Sequence, residues 1–434
     1  MKKVLVILFA LGLVFAFSAP VMATDVEVSG SYYVRGWYDT NSSLNSEATA
    51  NQLYQQRLRV YATFKVARGL KLTTKMDALE IVWGEAVTGG SHDAGYTNEA
   101  TSWSVEKSRL DFATKYGLFS AGIWDTNTWG LGFGNNSYSV GSLMWMAPVG
   151  KVLLLAKIEK AIERDAKPIG GDAYADYDQD NFLLAAIYRT PALTAGLLYK
   201  YVRNAAYRDL NVGVPYGFMV TVDVISPYFQ YKAGNLYLEG QVYWDKGSYD
   251  KEDGSYYANT EIEGLDGYLM GKYKMDAFTV GGFAAFARGD DPSTSTTNEG
   301  ALSAGWDWNP CLILWNDDFN YKAGGALGHV AGAMTNGEMS NAWIYQVFAE
   351  MAPSDKLAVK ASASYAKADE KPTGFVDDEY GTEFDVSASY KIYDNLEYMV
   401  GFGYLIAGDF YKGTCTTNQI DDTYLLVNKL TLSF

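Results

Sequence analysis

The chain has 434 residues and a formal net charge of −16, and 34 Tyr, 20 Phe and 11 Trp stand beside 43 Gly and only 10 Pro. That acidity argues against a nucleic-acid partner, whose binders carry basic patches. Two cysteines are too few for a disulfide scaffold or a cysteine-rich metal site, and past the amino terminus no apolar run approaches the roughly 18 residues of a helical membrane span.

Lys2 and Lys3 precede an apolar run from Val4 to Phe17 and a small-residue pattern, Val21-Met22-Ala23. The run is shorter than the roughly 20 residues needed to span a bilayer, so residues 1–23 are expected to be a cleaved export signal; a retained helix is the alternative. Its loss removes two lysines and no acid, taking −16 to −18. Residues 24–434 are then expected to form one domain.

Period-two alternation predicts strands from there to the end. The first covers Val26 to Tyr38, and the second, Leu53 to Val66, sets Leu58, Val60, Ala62 and Phe64 against Arg57, Arg59, Tyr61 and Lys65. Further strands are placed at Leu70 to Trp83, Ser102 to Lys115, Leu118 to Asn127, Gly141 to Ala147, Val152 to Ile162, Asn181 to Arg189 and Ala192 to Asn204. The remainder are Phe218 to Tyr231, Leu236 to Asp245, Glu261 to Met275, Phe278 to Arg288, Asn341 to Met351, Lys356 to Lys367, Glu383 to Tyr393, Leu396 to Gly408 and Asp422 to Phe434. Short turns at Arg68-Gly69, Tyr116-Gly117, Pro148 to Gly150, Thr190-Pro191, Lys232 to Asn235, Asp276, Pro353 to Asp355 and Asp394-Asn395 alternate with longer polar connections.

This rhythm predicts an all-β chain, a transmembrane antiparallel up-and-down β-barrel of about 18 strands, or about 16 if Gly141 to Ala147 and one neighbour are loop. A soluble sandwich or propeller also uses period-two strands. The export signal, the apolar outward faces and the terminal aromatic argue against it. In the last strand Leu430, Leu432 and Phe434 oppose Lys429, Thr431 and Ser433, but Asn428 interrupts the apolar face. A bulge or a subunit contact there would explain it, and the strand is expected to close against Val26 to Tyr38.

Two stretches, NQLYQQRLRVYATFKVARGLKLTTKMDALEIVWG (Asn51 to Gly84) and TSWSVEKSRLDFATKYGLFSAGIW (Thr101 to Trp124), resemble outer-membrane porins of the delta-proteobacterial type and, more loosely, alginate-export porins. The final strand is similar to those whose terminal Phe, here Phe434, is read by the barrel-assembly machinery. The likeness covers the first third and the last strand; the middle matches in rhythm only. It implies an outer-membrane protein of a Gram-negative bacterium, in contact with lipid and lipopolysaccharide, that passes small hydrophilic solutes without a cofactor. It also implies either a homotrimer or a monomeric 18-stranded channel.

Projecting the strands inward predicts a basic wall of Arg57, Arg59, Lys65, Lys71, Lys75, Lys107 and Arg109, tempered by Asp77 and Asp111. An acidic wall of Asp223, Glu239, Asp245, Asp266, Glu383, Asp385 and Glu397 would lie roughly opposite. Either these walls set up a transverse field that orients polar solutes, or their charges pair locally. Two long loops are candidates for a constriction: Trp129 to Gly141, with Trp129 and Asn135, and Gly289 to Ser340, with Trp306, Trp308 and Trp315. The apolar run Cys311 to Trp315 is expected to fold into the mouth or cover a subunit contact, with an extra strand or short helix in the rim as the alternative.

Other signals are weaker. Cys311 and Cys415, both in outer loops, are candidates for one disulfide. Asp172, Asp176, Asp178 and Asp180 crowd another loop, but no Gly stands at the sixth position of a calcium hand and no regular metal site is expected. His92 and His329 are the only histidines, which leaves a histidine-based catalytic centre without support, so no enzyme is expected. Three functions follow: a general diffusion porin, a selective channel for anionic saccharides or polymers, and a plugged structural or adhesive barrel.

Overall fold

The computed structural model describes residues 25–40, 44, 50–83, 103–163, 177–208, 217–252, 255, 258–300, 305–316, 318 and 338–434. The export segment, Asp172, Asp176, His92 and His329 lie outside the described residues.

In chain order the strands are β1 (Asp25–Asp39), β2 (Asn51–Ala67), β3 (Leu70–Val82), β4 (Trp103–Thr114), β5 (Gly117–Thr126), β6 (Tyr138–Val149), β7 (Val152–Ile162), β8 (Gln179–Arg189) and β9 (Leu193–Asn204). They continue as β10 (Phe218–Ala233), β11 (Leu236–Lys251), β12 (Thr260–Met275), β13 (Phe278–Ala287), the two-residue β14 (Thr297–Asn298), β15 (Ala342–Ser354), β16 (Leu357–Lys367), β17 (Glu379–Tyr393), β18 (Leu396–Ala407) and β19 (Thr423–Ser433). Leaving β14 aside, each strand pairs antiparallel with the next, and β1 pairs with both β2 and β19. The sheet is therefore a closed barrel of eighteen strands with no free edge, which satisfies every ladder without water. β14 is an appendage that pairs parallel to β12 at the rim. The sixteen-strand alternative does not hold, because β6 runs from Tyr138 to Val149 and pairs along its length with β5 and β7.

The side-chain period fixes what each face meets. Leu184, Leu269 and Val347 point outward and are 59, 58 and 66 % exposed, an apolar surface that only lipid would cover without cost. Exposed aromatics form two girdles: Tyr116, Tyr231, Tyr273 and Tyr393 near the short turns, and Tyr54, Trp83, Trp103 and Trp244 near the long loops. The turns use left-handed backbone where the hairpin demands it, at Gly69 (φ 80°) and Gly150 (φ 61°) among others.

Closure at β1 and β19 is regular. Gly30 and Phe434 exchange backbone hydrogen bonds of 2.8 and 3.1 Å, and the Phe434 ring lies over Gly30, where a Cβ would come within 2.8 Å of Cζ. Neither pairing of β19 contains a bulge, so Asn428 does face outward. It sits in a shallow outer groove of about 690 Å³ with Tyr54, Trp83, Phe402 and Leu426.

Inside, the barrel departs from a uniformly wet lumen. Trp37, Phe133, Ile313, Leu314, Trp315, Ile344, Leu405, Phe410 and Leu425 form one buried apolar cluster on the inner face of the last strands and β1. A barrel wall is apolar on its inside only where something covers it. Here two loops do.

Candidate functional site: the constricted lumen

The connection between β5 and β6, residues 127–137, is anchored on β10 to β12. Trp129 Nε1 donates to the Ser226 carbonyl at 2.9 Å, and its ring meets Tyr228 edge-on at 5.1 Å. Gln241, inward on β11 and buried, clasps the loop from both sides: its Nε2 donates to the Trp129 carbonyl at 3.0 Å and its Oε1 accepts from Leu131 N at 2.8 Å. Gly130, at φ 74°, lets the chain turn against that amide, since a Cβ there would come within 2.6 Å of Gln241 Nε2. Phe133 is fully buried, stacked on Tyr268 and edge-on to Trp308.

The connection between β13 and β15 continues the bridge. Gly305 N donates to the Phe133 carbonyl at 2.8 Å, Asp307 N to the Asn135 carbonyl at 2.9 Å, and Ser137 N to Asp307 Oδ2 at 3.0 Å. Beyond this short ladder residues 310–315 run down the inner wall of β15 to β18. Gln346 Nε2 donates to the Pro310 carbonyl at 2.9 Å. The Glu383 carboxylate accepts from Leu312 and Ile313 at Oε1 (3.0 and 2.7 Å) and from Leu314 at Oε2 (2.8 Å). Gly403 makes room: a Cβ there would lie 3.1 Å from Leu312 Cβ and 3.3 Å from Ile313 Cγ1. Trp315 is buried against Tyr380.

Asp318 ends the bridge between two cations. Lys429 Nζ donates to Oδ2 at 2.9 Å, and Arg35, itself held by Gln55 at 2.7 and 2.9 Å, binds Oδ1. Burial works to raise the Asp318 pKa, but the charges of Lys429 and Arg35 outweigh it and hold the carboxyl below its ordinary value. The loops thus cross the lumen from β10 round to β1. Cys311 to Trp315, expected in the mouth or at a subunit contact, lie inside the barrel, and the described part of this connection carries the two-residue β14 and a helical Asp318.

The wall from β4 to β12, together with the inner side of the β5–β6 loop, bounds a space of about 560 Å³, lined by Arg109, Trp124, Trp129, Lys157, Lys200 and Asp245 among others. Its charges are interlaced. Lys157 lies 2.7 Å from Glu159 and donates to the Asp125 carbonyl at 3.1 Å; Glu159 also accepts from Thr126 and from Asn181 Nδ2 at 2.9 Å. Lys200 Nζ donates to Asn127 Oδ1 at 2.7 Å, and the buried Asp245 keeps Oδ1 without a hydrogen-bond partner.

All seven residues of the predicted basic wall face inward, and each has a local anion. Arg57 pairs with Glu80 at 3.2 Å, Arg59 and Lys75 with Asp77 at 2.7 and 3.2 Å, and Arg109 and Lys71 with Asp111 at 3.0 and 3.7 Å. Lys65 pairs with Glu27 and Lys107 with Asp125.

The acidic set is dispersed. Asp223 is corrected to the outer face, where it accepts from Tyr199 Oη at 2.6 Å; Val222 and Val224 take the inward positions of that strand and line the 560 Å³ space. Glu239 accepts from Tyr237 at 2.7 Å and Tyr268 at 3.0 Å. Asp245 and Asp266 line the same space, Glu383 and Asp385 lie beneath the inserted loop, and Glu397 pairs across from Thr431 near the short-turn end. Among the constriction candidates Trp129, Asn135 and Trp308 join the bridge, Trp306 is partly exposed beside it, and Trp315 is buried away from that space.

The proposed disulfide is also corrected. Both cysteines are free: Cys311 is buried inside the barrel, its Sγ 3.3 Å from Ser364 Oγ, whereas Cys415 is exposed in the connection before β19. Lys160 contacts both Asp178, in the loop, and Asp180, which the structure places in β8, so these carboxylates have a cation already. Sequence reasoning missed Arg35, Gln241, Gln346, Lys429 and Asp318. Only the alternation of Arg35 and Lys429 with their apolar neighbours signals an inward position.

No family model matches the chain, and no curated protein does. Solved structures do. The Pseudomonas aeruginosa OpdK complex with vanillate aligns at a TM-score of 0.53 and 11 % identity over 94 % of this chain and 99 % of that one. The fold is that of an outer-membrane porin. Pseudomonas aeruginosa OccK2 (OpdF), in complex with glucuronate, aligns at 0.53 and 10 % identity over 96 and 99 %, and OccK9 (OpdG) of the same organism at 0.53 and 14 % over 94 and 99 %. At such identities the likeness to these porins is one of fold.

Proposed function

We propose that this porin barrel is a passive channel for small hydrophilic solutes and ions, too narrow for polymers. One observation carries the reading: the inserted loops cover the inner wall from β13 round to β1, while the β4 to β12 wall bounds a space of about 560 Å³ whose lining mixes charged side chains with apolar ones. Arg109, Lys157 and Lys200 there are offset by Asp125, Glu159, Asp245 and Asp266, a balance that suits small solutes of either charge. A preference for small organic acids is a second reading, favoured by the three cations and by the vanillate and glucuronate named with the OpdK and OccK2 structures.

The same reading takes residues 1–23 as a removed export signal, Phe434 as the assembly address, and the outer groove at Asn428 as a contact between copies in a homotrimer. Purified folded protein in a planar bilayer should give stepwise ohmic conductance, and liposome swelling should admit monosaccharides but not oligomers. A folded barrel without conductance would instead be a plugged one.

A further inference from the structure

We propose that Cys311, Glu383 and Asp385 form a buried site for a thiophilic divalent cation such as zinc, which staples the inserted loop to β17. One ligand atom from each lies within 4.8 Å of the other two, and all three residues are buried. Two carboxylates this close together and away from water need something positive between them, a proton or a metal ion.

An independent observation points to the metal. Asp385 is 7 % exposed, and its Oδ1 is buried with no hydrogen-bond partner, while Ser362 Oγ lies 3.4 Å from Oδ2. Gly403 keeps space beside that oxygen, since a Cβ there would come within 2.9 Å of it. Glu383 is already oriented by the three amides of residues 312–314, as metal-binding carboxylates are held by outer hydrogen bonds.

The donor set selects the class of ion. One sulfur and two carboxylate oxygens suit zinc or cobalt, whereas calcium and magnesium take oxygen donors. A neighbouring cavity of about 350 Å³, lined by Cys311, Asp385, Ser362 and Ser387, offers an entry path and a water for the remaining position. Binding releases the Cys311 thiol proton and any proton shared by the carboxyl pair, so affinity rises with pH.

The test uses the full-length folded barrel, reduced and stripped with chelator, and probes it with zinc in equilibrium dialysis and with cobalt by absorption. One zinc per chain is expected, with affinity at least tenfold weaker in Asp385→Asn. Cobalt should give a thiolate charge-transfer band in the unaltered protein and in Cys415→Ser, and none in Cys311→Ser. Heat-modifiable gel migration checks that each variant is folded; should Cys311→Ser fail it, the isosteric Asp385→Asn decides. No stoichiometric uptake, uptake undiminished in Asp385→Asn, or a band lost with Cys415 overturns the site. Channel conductance does not enter these readouts.

Discussion

Replacing Glu383 with Ala should release the inserted loop and widen the pore. Burying Ile313, Leu314 and Trp315 contributes about 1.5–3 kcal/mol each, or roughly 5–9 in all. Ordering the six residues 310–315 costs about 1–2 kcal/mol each, or roughly 6–12. These nearly cancel, so the three amides donating to Glu383 decide the balance. Without that acceptor three buried N–H groups lose their partner, at about 1–3 kcal/mol each, or roughly 3–9. That exceeds any surplus left by burial. In single-channel recordings made in chelator, the variant should conduct severalfold more than the unaltered protein, while the barrel keeps its heat-modifiable gel migration because the strand ladders are untouched. An unchanged conductance in a folded Glu383→Ala barrel would falsify the claim that this carboxylate holds the constriction.

The Asp318 anchor should be pH-dependent. Its folded pKa is depressed, so its contribution is complete above the unfolded value of about 4 and is lost as pH falls through the lower folded value. Loop flicker in current traces should therefore rise only below about pH 4, and Asp318→Asn should flicker at pH 7; a variant as quiet as the parent contradicts the anchor. Lys200→Ala should shift reversal potentials toward cation selectivity, by up to about fivefold in permeability ratio, since a unit charge at 4 Å in water is worth roughly 1 kcal/mol. No shift would place Lys200 outside the ion path. In the folded protein maleimide should label Cys415, whose thiol the Thr417 hydroxyl and backbone amides make more acidic, and spare Cys311, whose thiol burial pushes up. Two fast thiols, or none, would contradict the placement. Gly30→Leu should destabilise closure by at least about 1–3 kcal/mol through overpacking, since its Cβ would collide with the Arg59 carbonyl oxygen and come within 2.8 Å of the Phe434 ring, read as a lower folded yield.

Much of the barrel is legible in the sequence because its rules are local. A strand in a membrane barrel needs one apolar face and a closed ladder, so alternation marks each of the eighteen strands, and Gly69 and Gly150 mark turns whose left-handed backbone suits glycine. The inward position of Arg57, Arg59 and Lys75 follows from the same period. Lys75 meets Asp77 two residues along its own strand, a local partner the sequence already offered, whereas Arg57 and Arg59 reach Glu80 and Asp77 through the register of β2 against β3, where a bulge shifts the count.

Asp223 shows the limit of parity read from polarity. Its strand alternates Val222 and Val224 with Thr221 and Asp223, and an inward carboxylate looks natural until β9 and β11 fix the register and turn the valines to the lumen. What only the tertiary structure decided is the constriction. Sequence marked Cys311 to Trp315 as a run that would leave water, because apolar burial depends on composition. Where the run docks depends on Gly403, Gln346, Glu383, Arg35 and Lys429, residues brought from five strands by barrel closure. Their convergence is a property of long-range geometry, and no local period encodes it.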